Sequence, residues 1–248
     1  MKIVITGGAT NEYIDEVMKI TNMSTGKLSV KIAKEFCEKG HEVILIANRS
    51  VNFDSLSHFN NLKIVKIETT QDLIDGLYSV AGEDVDAVIH SAAVADYKSE
   101  FVFKIEDMAK EISEKIYNFA YTKDALYKEI YETMKNPKCK IDDSTKISSY
   151  ESGLTVKLGL TPKVISNLRE FFPNAKIYGF KLLENVEKEK LFEAAKNICI
   201  KNNIDGVFAN DLKDLRNGNQ TRYFVDSNGW SGKSMETYLD IVEYVINF

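Results

Sequence analysis

Short unbroken apolar runs alternate along this chain with stretches whose apolar residues recur at helical spacing. Residues 3–5 and 43–46 are apolar throughout, which is typical of parallel strands buried on both faces of a sheet. Lys27–Lys39 instead places its apolar residues on one helical face, and Gly40 follows as a C-terminal cap. A strand, a helix and a second strand in this order predict a right-handed parallel crossover.

The same two patterns continue to the end of the chain. The predicted strands after the first are His41–Ala47, Leu62–Ile67, Asp86–His90, Leu154–Leu158, Lys176–Phe180, Gly206–Ala209 and Arg222–Val225. Three of the later predicted helices are Thr70–Ala81, Glu187–Asn202 and Ser234–Ile246, the first with Thr70 as its N-cap. A further helix is predicted to have Thr161 as its N-cap and Pro162 as its first residue, and to end before Pro173. The sequence therefore predicts a Rossmann-like α/β fold, with a doubly wound, mostly parallel sheet and helices on both faces.

Residues 99–143 interrupt this alternation, because the segment is charged, rich in tyrosine and broken at Asn136-Pro137. Its apolar residues recur at helical spacing in two stretches, namely Ile112, Ile116 and Phe119, then Leu126, Ile130 and Met134. We interpret it as an inserted helical segment, a lid or an interaction element, within one domain that spans residues 1–248. No chemistry is visible in it.

Two small-residue turns carry the candidate chemistry. The first strand ends at Gly7-Gly8, and Ser24-Thr25-Gly26 comes directly before the first helix. Glycine lets the backbone approach a ligand without a Cβ, and the N–H groups at a helix start bind anions. Asn22 lies between the two turns with an amide that both donates and accepts hydrogen bonds.

The first turn is not an ordinary dinucleotide fingerprint. Ala9 and Glu12 interrupt the G-x-G-x-x-G spacing, and a long polar loop takes the place of an immediate helix. The fourth strand leads into residues 91–97, a run of small residues that ends in Asp96-Tyr97. Because ligands in open α/β sheets bind beyond the C-terminal ends of the strands, we expect the first and fourth strands to face one crevice.

Composition narrows the possible classes of protein. The chain has 248 residues, 44% of them hydrophobic, which suits one large α/β domain or two small ones. A net charge of −5 argues against nucleic-acid binding, which needs a concentrated basic face. No apolar run reaches the roughly 20 residues that span a bilayer, and the N-terminal residues form a strand pattern instead of an export signal.

The three cysteines, Cys37, Cys139 and Cys199, are far apart and have no zinc or redox spacing. This pattern favours a reducing cytoplasm. Cys37 and Cys199 lie on apolar helical stripes, so we expect both in the core.

Seven short motifs occur in a characteristic order: residues 6–10, 20–26, 92–97, 146–147, 160–163, 179–181 and 209–211. Together they resemble phosphopantothenate–cysteine ligase, the phosphopantothenoylcysteine synthetase of coenzyme A synthesis. Each motif alone is weak, but the ordered set is specific, and it covers the chain from Lys2 to the late strand except the insertion. Bacterial relatives are often fused to a flavin-dependent decarboxylase; because nothing precedes Met1, the resemblance is to the stand-alone bacterial ligase.

The resemblance implies a two-step reaction that uses a nucleoside triphosphate and Mg²⁺. The carboxylate of 4′-phosphopantothenate attacks the α-phosphate, which gives an acyl nucleotide and pyrophosphate, and the amine of L-cysteine then displaces the nucleotide. Bacterial members favour CTP and eukaryotic members ATP, so CTP is the expected cosubstrate. The family is homodimeric, and its reaction involves neither nucleic acid nor a membrane.

The resemblance also implies roles for individual residues. Asn22 and Lys146 match catalytic positions. The substrate-contacting positions fall at Asn22, Ala92, Ala93, Asp96 and Lys19. The nucleotide-contacting positions fall at Gly8, Ser24, Gly26, Asp96, Lys146, Phe180, Lys196, Lys201 and Asn210. Without the resemblance, the same residue types would fit purely structural roles, such as a turn asparagine, a capping aspartate, a solvated lysine or a core phenylalanine.

Three departures from the family pattern affect these roles. Lys196 and Lys201 are five residues apart, where bacterial relatives carry a lysine pair one helical turn apart. Met18 stands where relatives place an arginine that reaches the substrate phosphate across the dimer, so Lys19 would have to substitute as a point charge. Ser148 and Ser149 replace two lysines of the run that begins at Lys146.

Two other functions stay open at the level of sequence. Tyr131 and Lys135 have the Y-x-x-x-K spacing of short-chain oxidoreductases, and Arg49 after the second strand could bind the 2′-phosphate of NADP. The same fold could also belong to a nucleotide sensor without catalysis.

Overall fold

Buried strands and amphipathic helices alternate in space as they do in the sequence. The computed structural model describes residues 1–117 and 121–247. Phe119, which the sequence places on a helical face, lies outside the described residues. The described chain divides into two units, the first formed by residues 1–10, 22–94 and 162–247 and the second by residues 11–21, 95–117 and 121–161.

The strands are β1 Lys2–Gly7, β2 Asn11–Tyr13, β3 Lys19–Thr21, β4 Glu42–Asn48, β5 Leu62–Ile67, β6 Ala87–His90, β7 Tyr97–Lys104, β8 Lys140–Ile141, β9 Leu154–Leu160, β10 Lys176–Leu183, β11 Gly206–Asp211, β12 Arg222–Asp226 and β13 Gly229–Met235. The α-helices are α1 Lys27–Glu38, α2 Thr70–Tyr78, α3 Ile105–Ile116, α4 Lys123–Lys135, α5 Leu168–Phe171, α6 Lys188–Asn202, α7 Leu212–Arg216 and α8 Tyr238–Asn247. Short 3₁₀ turns occupy Asp54–Leu56 and Val164–Asn167.

The first unit is built on one sheet with the strand order β13-β12-β11-β10-β6-β1-β4-β5. The strands from β11 to β5 pair in parallel, and β12 and β13 add an antiparallel edge. The prediction of a doubly wound, mostly parallel sheet is therefore confirmed. Its C-terminal edge carries the ends of β1, β6, β10 and β11, where ligands bind in folds of this kind.

Successive strand residues point to opposite faces, so the sheet separates two apolar cores. Val4 and Val207 pack on one side with residues of α2 and α6. Ile5 and Phe208 pack on the other side with residues of α1 and α8. Helices on both faces, as predicted, follow from strands that are apolar on both sides.

Capping decides where α2 begins. Thr69, rather than Thr70, is the N-cap: its hydroxyl accepts a hydrogen bond from the Asp72 N–H, and the Asp72 carboxylate accepts one from the Thr69 N–H. This reciprocal pair is a capping box. Thr70 is buried instead, with its hydroxyl 3.1 Å from that of Thr10. The predicted N-cap was therefore wrong by one residue.

The predicted start of the next helix, with Thr161 as its cap and Pro162 as its first residue, is also wrong, although the helix ends before Pro173 as predicted. The Thr161 N–H donates to the Asp96 carbonyl at 3.1 Å, and the Thr161 hydroxyl donates to the Ala95 carbonyl. Both groups are therefore used to pair two chain segments instead of capping a helix. Helical structure begins only at Val164, as a 3₁₀ turn that leads into α5.

The last predicted helix begins too early. Ser234 belongs to β13, a strand that the sequence did not reveal because it is polar and mostly exposed. α8 begins at Tyr238, after Thr237 has accepted hydrogen bonds from the N–H groups of Leu239 and Asp240.

The second unit contains a three-stranded antiparallel sheet in the order β8-β7-β9 and a short hairpin of β2 and β3. Its small core holds Phe101, Phe103 and Met108. The segment at 99–143 does contain helices α3 and α4, but it starts in strand β7, and the hairpin in residues 11–21 lies where the sequence indicated only a loop. That residues 99–143 are an insertion stays a prediction.

Burial of the cysteines agrees with their predicted place in the core. Cys37 and Cys199 are 4% and 1% exposed, and all three thiols are free. Burial raises the pKa of Cys37 to about 11 and that of Cys199 to about 12. Within residues 1–117 and 121–247, every helix is too short or too polar to cross a lipid bilayer.

Gly7→Ala tests how closely α1 packs on β1. A Cβ at Gly7 would overlap the side chain of Ser29, whose hydroxyl is held by the Gly26 carbonyl at 2.7 Å. We expect the substitution to lower the free energy of unfolding by about 2 kcal/mol, because overpacked cores are strained. Thermal unfolding measures this, with Gly82→Ala as the control because a Cβ there meets no atom within 4 Å. Equal melting temperatures for the two variants would contradict the close packing.

Candidate active site

The two predicted glycine turns lie against each other at the end of β1. Gly8 and Gly26 have φ angles of 76° and 71°, the left-handed region that favours glycine. A Cβ on Gly26 would lie 3.2 Å from the Gly8 nitrogen, and a Cβ on either glycine would press on Val51. The structure therefore brings together two turns that are 18 residues apart in sequence.

The second turn comes directly before α1, and no side chain caps the N-terminus of this helix. Gly26 is the N-cap and has no side chain, and the first helical turn holds no acidic residue. Unpaired N–H groups and the helix dipole favour an anion at such a place. Ser24 lies beside it, half-buried, with its N–H donated to the Asn22 carbonyl at 2.9 Å.

The segment after β6 extends the sheet toward the first glycine turn. The Ala93 N–H donates to the Gly8 carbonyl at 2.8 Å, and the Thr10 N–H donates to the Ala93 carbonyl at 3.3 Å. The Asn22 amide donates to the carbonyls of Ala93 and Val94 at 3.3 and 2.9 Å. Gly8, Asn22 and Ala93 are thus held in one place, and Ala92 is fixed by the contact described next.

A buried threonine–histidine pair supports this segment, and the sequence did not single it out. The Thr6 hydroxyl lies 2.8 Å from His90 Nδ1 and accepts a hydrogen bond from the Ala92 N–H at 3.1 Å. Burial lowers the pKa of His90 to about 4, so the ring is neutral. A hydroxyl has one proton and two lone pairs, so the tautomer of His90 decides whether Thr6 donates to Nδ1 or accepts from it. The pair orders the backbone of the small-residue segment.

Phe180 and Asn210 lie near the same edge of the sheet, toward the ends of β10 and β11. Phe180 is half-buried and packs on Phe208 with ring centroids 5.3 Å apart. Asn210 is 6% exposed. The next residue, Asp211, accepts the N–H groups of Val186 and Lys213 at 3.0 and 2.7 Å, and these bonds to the backbone, the Val186 bond first, lower its pKa.

Lys196 and Lys201 both lie on α6 but do not form a pair. A step of five residues turns about 140° around a helix, so the two side chains leave different faces. Because α6 connects the parallel strands β10 and β11, its last turn lies where β11 begins. Lys201 is therefore near the sheet edge opposite Asn210, and the structure does not bring it to the glycine turns.

In the second unit, Asp15 holds the segment that carries Lys146. The Asp15 carboxylate is 4% exposed and accepts three backbone N–H groups, from Val17 and Met18 at 2.8 and 2.6 Å and from Ile147 at 2.9 Å. Burial acts to raise the pKa of Asp15, but these bonds and the nearby Lys146 ammonium outweigh it, so the pKa is lowered. A buried carboxylate thus stays ionised beside an exposed lysine.

The other predicted residues of this unit are exposed. Asp96 lies just before β7, where its carbonyl accepts the Thr161 N–H, and Lys19 opens β3 opposite Tyr13. Met18, at the position of the family arginine, is 39% exposed.

The residues that suggested an oxidoreductase make contacts with neighbouring side chains. Tyr131 and Lys135 lie on α4, and Tyr131 is stacked on Tyr127 with ring centroids 6.0 Å apart. Arg49 forms an ion pair with Glu68.

The sequence of the chain is similar to that of a known protein family and of several known proteins. A sequence model of the DNA/pantothenate metabolism flavoprotein C-terminal domain matches residues 1–141. The coenzyme A biosynthesis bifunctional protein CoaBC of Thermococcus kodakarensis is 30% identical over 213 residues, 86% of this chain and 41% of that protein. The protein of the same name from Methanocaldococcus jannaschii is 27% identical over 251 residues, 98% of this chain and 50% of that one. The chain spans half the length or less of these curated relatives.

Two solved structures share the fold of this chain. The DNA/pantothenate metabolism flavoprotein from Streptococcus pneumoniae is 31% identical, with a TM-score of 0.77 over 100% of this chain and 97% of that chain. A Cab2 mutant in complex with phosphopantothenate-cysteine shares the fold at 17% identity, with a TM-score of 0.64 over 99% of this chain and 85% of that chain.

The neutral, buried His90 predicts a specific dependence of stability on pH. Its pKa in the folded chain, about 4, lies below the ordinary 6.5, so the unfolded chain takes up the proton first. This contribution to stability is complete above pH 6.5 and is lost as the pH falls toward 4, by up to about 1.4 kcal/mol per unit. Urea unfolding across this range should therefore give a steeper loss for the wild type than for His90→Asn, which lacks the titrating ring. Parallel pH profiles would show that His90 is not buried as a neutral group.

Proposed function

The chain belongs to the DNA/pantothenate metabolism flavoprotein C-terminal domain family, and on that premise we propose that it is a phosphopantothenate–cysteine ligase of coenzyme A synthesis. The observation that carries the proposal is the cluster of Gly8, Asn22 and Ala93 beside the uncapped start of α1. Such a cluster suits an anionic substrate next to a phosphate group. The names of the relatives and the phosphopantothenate-cysteine bound to Cab2 support the same function.

In the proposed reaction, the carboxylate of 4′-phosphopantothenate attacks the α-phosphate of CTP and releases pyrophosphate. The amine of L-cysteine then attacks the acyl carbon of the cytidylate and releases CMP. Both steps place negative charge on oxygen, which fixed N–H donors and ammonium groups stabilise. They also bring two anionic substrates together, which requires binding energy and positioning.

We assign Asn22 to the substrate carboxylate and to turnover of the acyl cytidylate. Two main-chain carbonyls hold its amide nitrogen, and the longer bond, 3.3 Å to Ala93, is the one that the amide would release to donate to the substrate. The backbone at Ala92 and Ala93, ordered by Thr6 and His90, is proposed to contact phosphopantothenate. Asp96 and Lys19 are proposed as further contacts, with Lys19 replacing the family arginine that is Met18 here.

The proposed nucleotide contacts are Gly8, Ser24, Gly26, Phe180, Asn210, Asp96 and Lys146, and, on α6, Lys196 rather than Lys201. Lys146 is assigned to the phosphates during acyl transfer, because an ammonium group stabilises developing charge there. Asp15 fixes the backbone next to Lys146 and is proposed to position it. The chain is proposed to act as a cytoplasmic homodimer, as the family resemblance implies.

Mg²⁺ is proposed to enter with the nucleotide. This ion is commonly held by substrate phosphates together with one or two carboxylates. Asp96 is exposed and would supply such a carboxylate, and among the described residues no three potential ligands form a metal site on their own. Bound there, the ion would neutralise phosphate charge.

Pyrophosphate release tests the function. With CTP, Mg²⁺, 4′-phosphopantothenate and L-cysteine, we expect stoichiometric pyrophosphate and phosphopantothenoylcysteine, measured by a coupled assay and mass spectrometry. CTP should outcompete ATP. An oxidoreductase would instead consume NADPH, and a sensor would bind nucleotide without turnover. Absence of pyrophosphate with either nucleotide would contradict the proposal.

In the same assay, Asn22→Asp identifies the step that Asn22 serves. A carboxylate cannot donate to the Ala93 and Val94 carbonyls, so the side chain loses its orientation. We expect turnover to fall by about 10²-fold, the usual size for one lost transition-state donor, and acyl cytidylate to accumulate. Asn52→Asp is the matched control, because Asn52 uses only its oxygen to accept the Asp54 N–H. Unchanged turnover in Asn22→Asp would remove Asn22 from the mechanism.

A double-mutant cycle tests whether Asp15 acts through Lys146. Asp15→Asn cannot accept all three N–H groups, and a hydrogen bond to a charged group is worth roughly 1.5–3 kcal/mol. We therefore expect kcat to fall by about tenfold to a hundredfold, while the KM for cysteine is unchanged. In a Lys146→Ala background, which itself weakens the nucleotide step, Asp15→Asn should have almost no further effect. Asp142→Asn is the control, since Asp142 accepts the Ser144 N–H in the same segment. Equal effects in both backgrounds would mean that Asp15 supports only the fold.

A further inference from the structure

A cavity of about 290 Å³ lies in the first unit beside the start of α1, and the family motifs do not account for it. Its lining comes from α1, from the chain around α7, and from the first residues of β12 and α8. The lining residues are Lys27, Leu28, Lys31, Leu215, Gln220, Arg222 and Tyr238. The volume corresponds to roughly ten water molecules, which is enough for a diphosphate group.

Arg222 is the unusual member of this cavity. Its side chain is 8% exposed, yet its guanidinium makes a single hydrogen bond, from Nη1 to the Gln220 carbonyl at 2.8 Å. Within the described residues no carboxylate forms an ion pair with it. Burial alone lowers its pKa, but an arginine stays charged in proteins. Among the described residues, the other guanidinium nitrogens of Arg222 are not buried without a partner, so they reach the solvent of the cavity and can donate hydrogen bonds to an anion there.

Two lysines add to the same charge. Lys27 directly follows Gly26, and Lys31 lies one turn further along α1 with its Nζ 5.5 Å from the centre of the Tyr238 ring. Neither lysine forms an ion pair with any described residue, and the lining of the cavity includes no aspartate or glutamate. This concentration of positive charge occurs in a chain whose net charge is −5.

Helix geometry reinforces the attraction for an anion. α1 has twelve residues, a glycine N-cap and no acidic residue in its first turn, so its positive end is not neutralised. The buried Arg222 is an independent feature from another strand that lines the same cavity. A nucleotide on the glycine turns would have its phosphate chain next to Lys27.

We infer that the cavity formed by Lys27, Lys31 and Arg222 binds the β- and γ-phosphates of the nucleoside triphosphate, the part that leaves as pyrophosphate. This inference rests on the proposed function. Three cations hold the leaving group and balance its charge, and Arg222, the least exposed of them, determines affinity for a triphosphate over a monophosphate. Free diphosphate shares this chemistry, and the experiment separates the two sources.

Calorimetric titration of the full chain with inorganic pyrophosphate, CTP and CMP tests the inference. Arg222→Met keeps the buried apolar stem and removes the charge. We expect it to weaken binding of pyrophosphate and CTP about tenfold or more, equivalent to one lost bond to a charged group, and to leave CMP unchanged. Lys31→Met, at an exposed position, should act in the same direction and serves if Arg222→Met fails to fold. Lys34→Met is the control on the same helix, since Lys34 lies outside the cavity and is paired with Glu38.

The outcomes are distinguishable. Equal affinity of the wild type, Arg222→Met and Lys31→Met for pyrophosphate, or no binding at all, would overturn the inference even if the chain is a ligase. Weaker pyrophosphate binding without any change for CTP would overturn the nucleotide assignment and leave a site for free diphosphate. Weaker binding of both ligands by a chain that makes no phosphopantothenoylcysteine would support the cavity and refute the proposed function.

Discussion

The close approach of β1 to the start of α1 is the contact on which the candidate site depends. Gly7 leaves room for Ser29, while Gly8 and Gly26 share the space around Val51. None of these three positions has room for a Cβ without a shift in its neighbours. The approach holds residues 22–26 over the end of the first strand, and from there Asn22 reaches carbonyl groups more than 70 residues away in sequence.

Much of the fold could be predicted because its signal is local. Buried parallel strands such as β4 have unbroken apolar runs, and helices such as α1 have apolar residues at helical spacing, and these patterns distinguish both from loops. β2, β3 and β13 were missed because they are short or polar, and such strands form only when distant partners supply hydrogen bonds. Caps such as Thr69 depend on one hydrogen-bond geometry and are uncertain by a residue from sequence alone.

The residues of the candidate site also divide into those that the sequence reveals and those that only the structure reveals. Glycine turns and Asn22 can be found from sequence, because those residue types are rare in that arrangement. Asp15 and His90 could not be found, since their roles come from burial and from partners 132 and 84 residues distant. Two buried titratable groups also reach opposite charge states, because their hydrogen-bond partners differ. Asp15 receives three N–H donors and stays charged, whereas His90, next to one hydroxyl, stays neutral.

The cysteines of the chain have a further consequence. Exchange with a disulfide requires a thiolate, and burial keeps Cys37 and Cys199 protonated far above neutral pH. The pKa of Cys139 is raised as well, by burial and by the adjacent Glu111. A protein proposed to work on free cysteine would meet cystine, the oxidised dimer of that amino acid, whenever its surroundings become oxidising. The thiols of the chain are poor nucleophiles toward cystine, so the polypeptide resists forming mixed disulfides with cysteine.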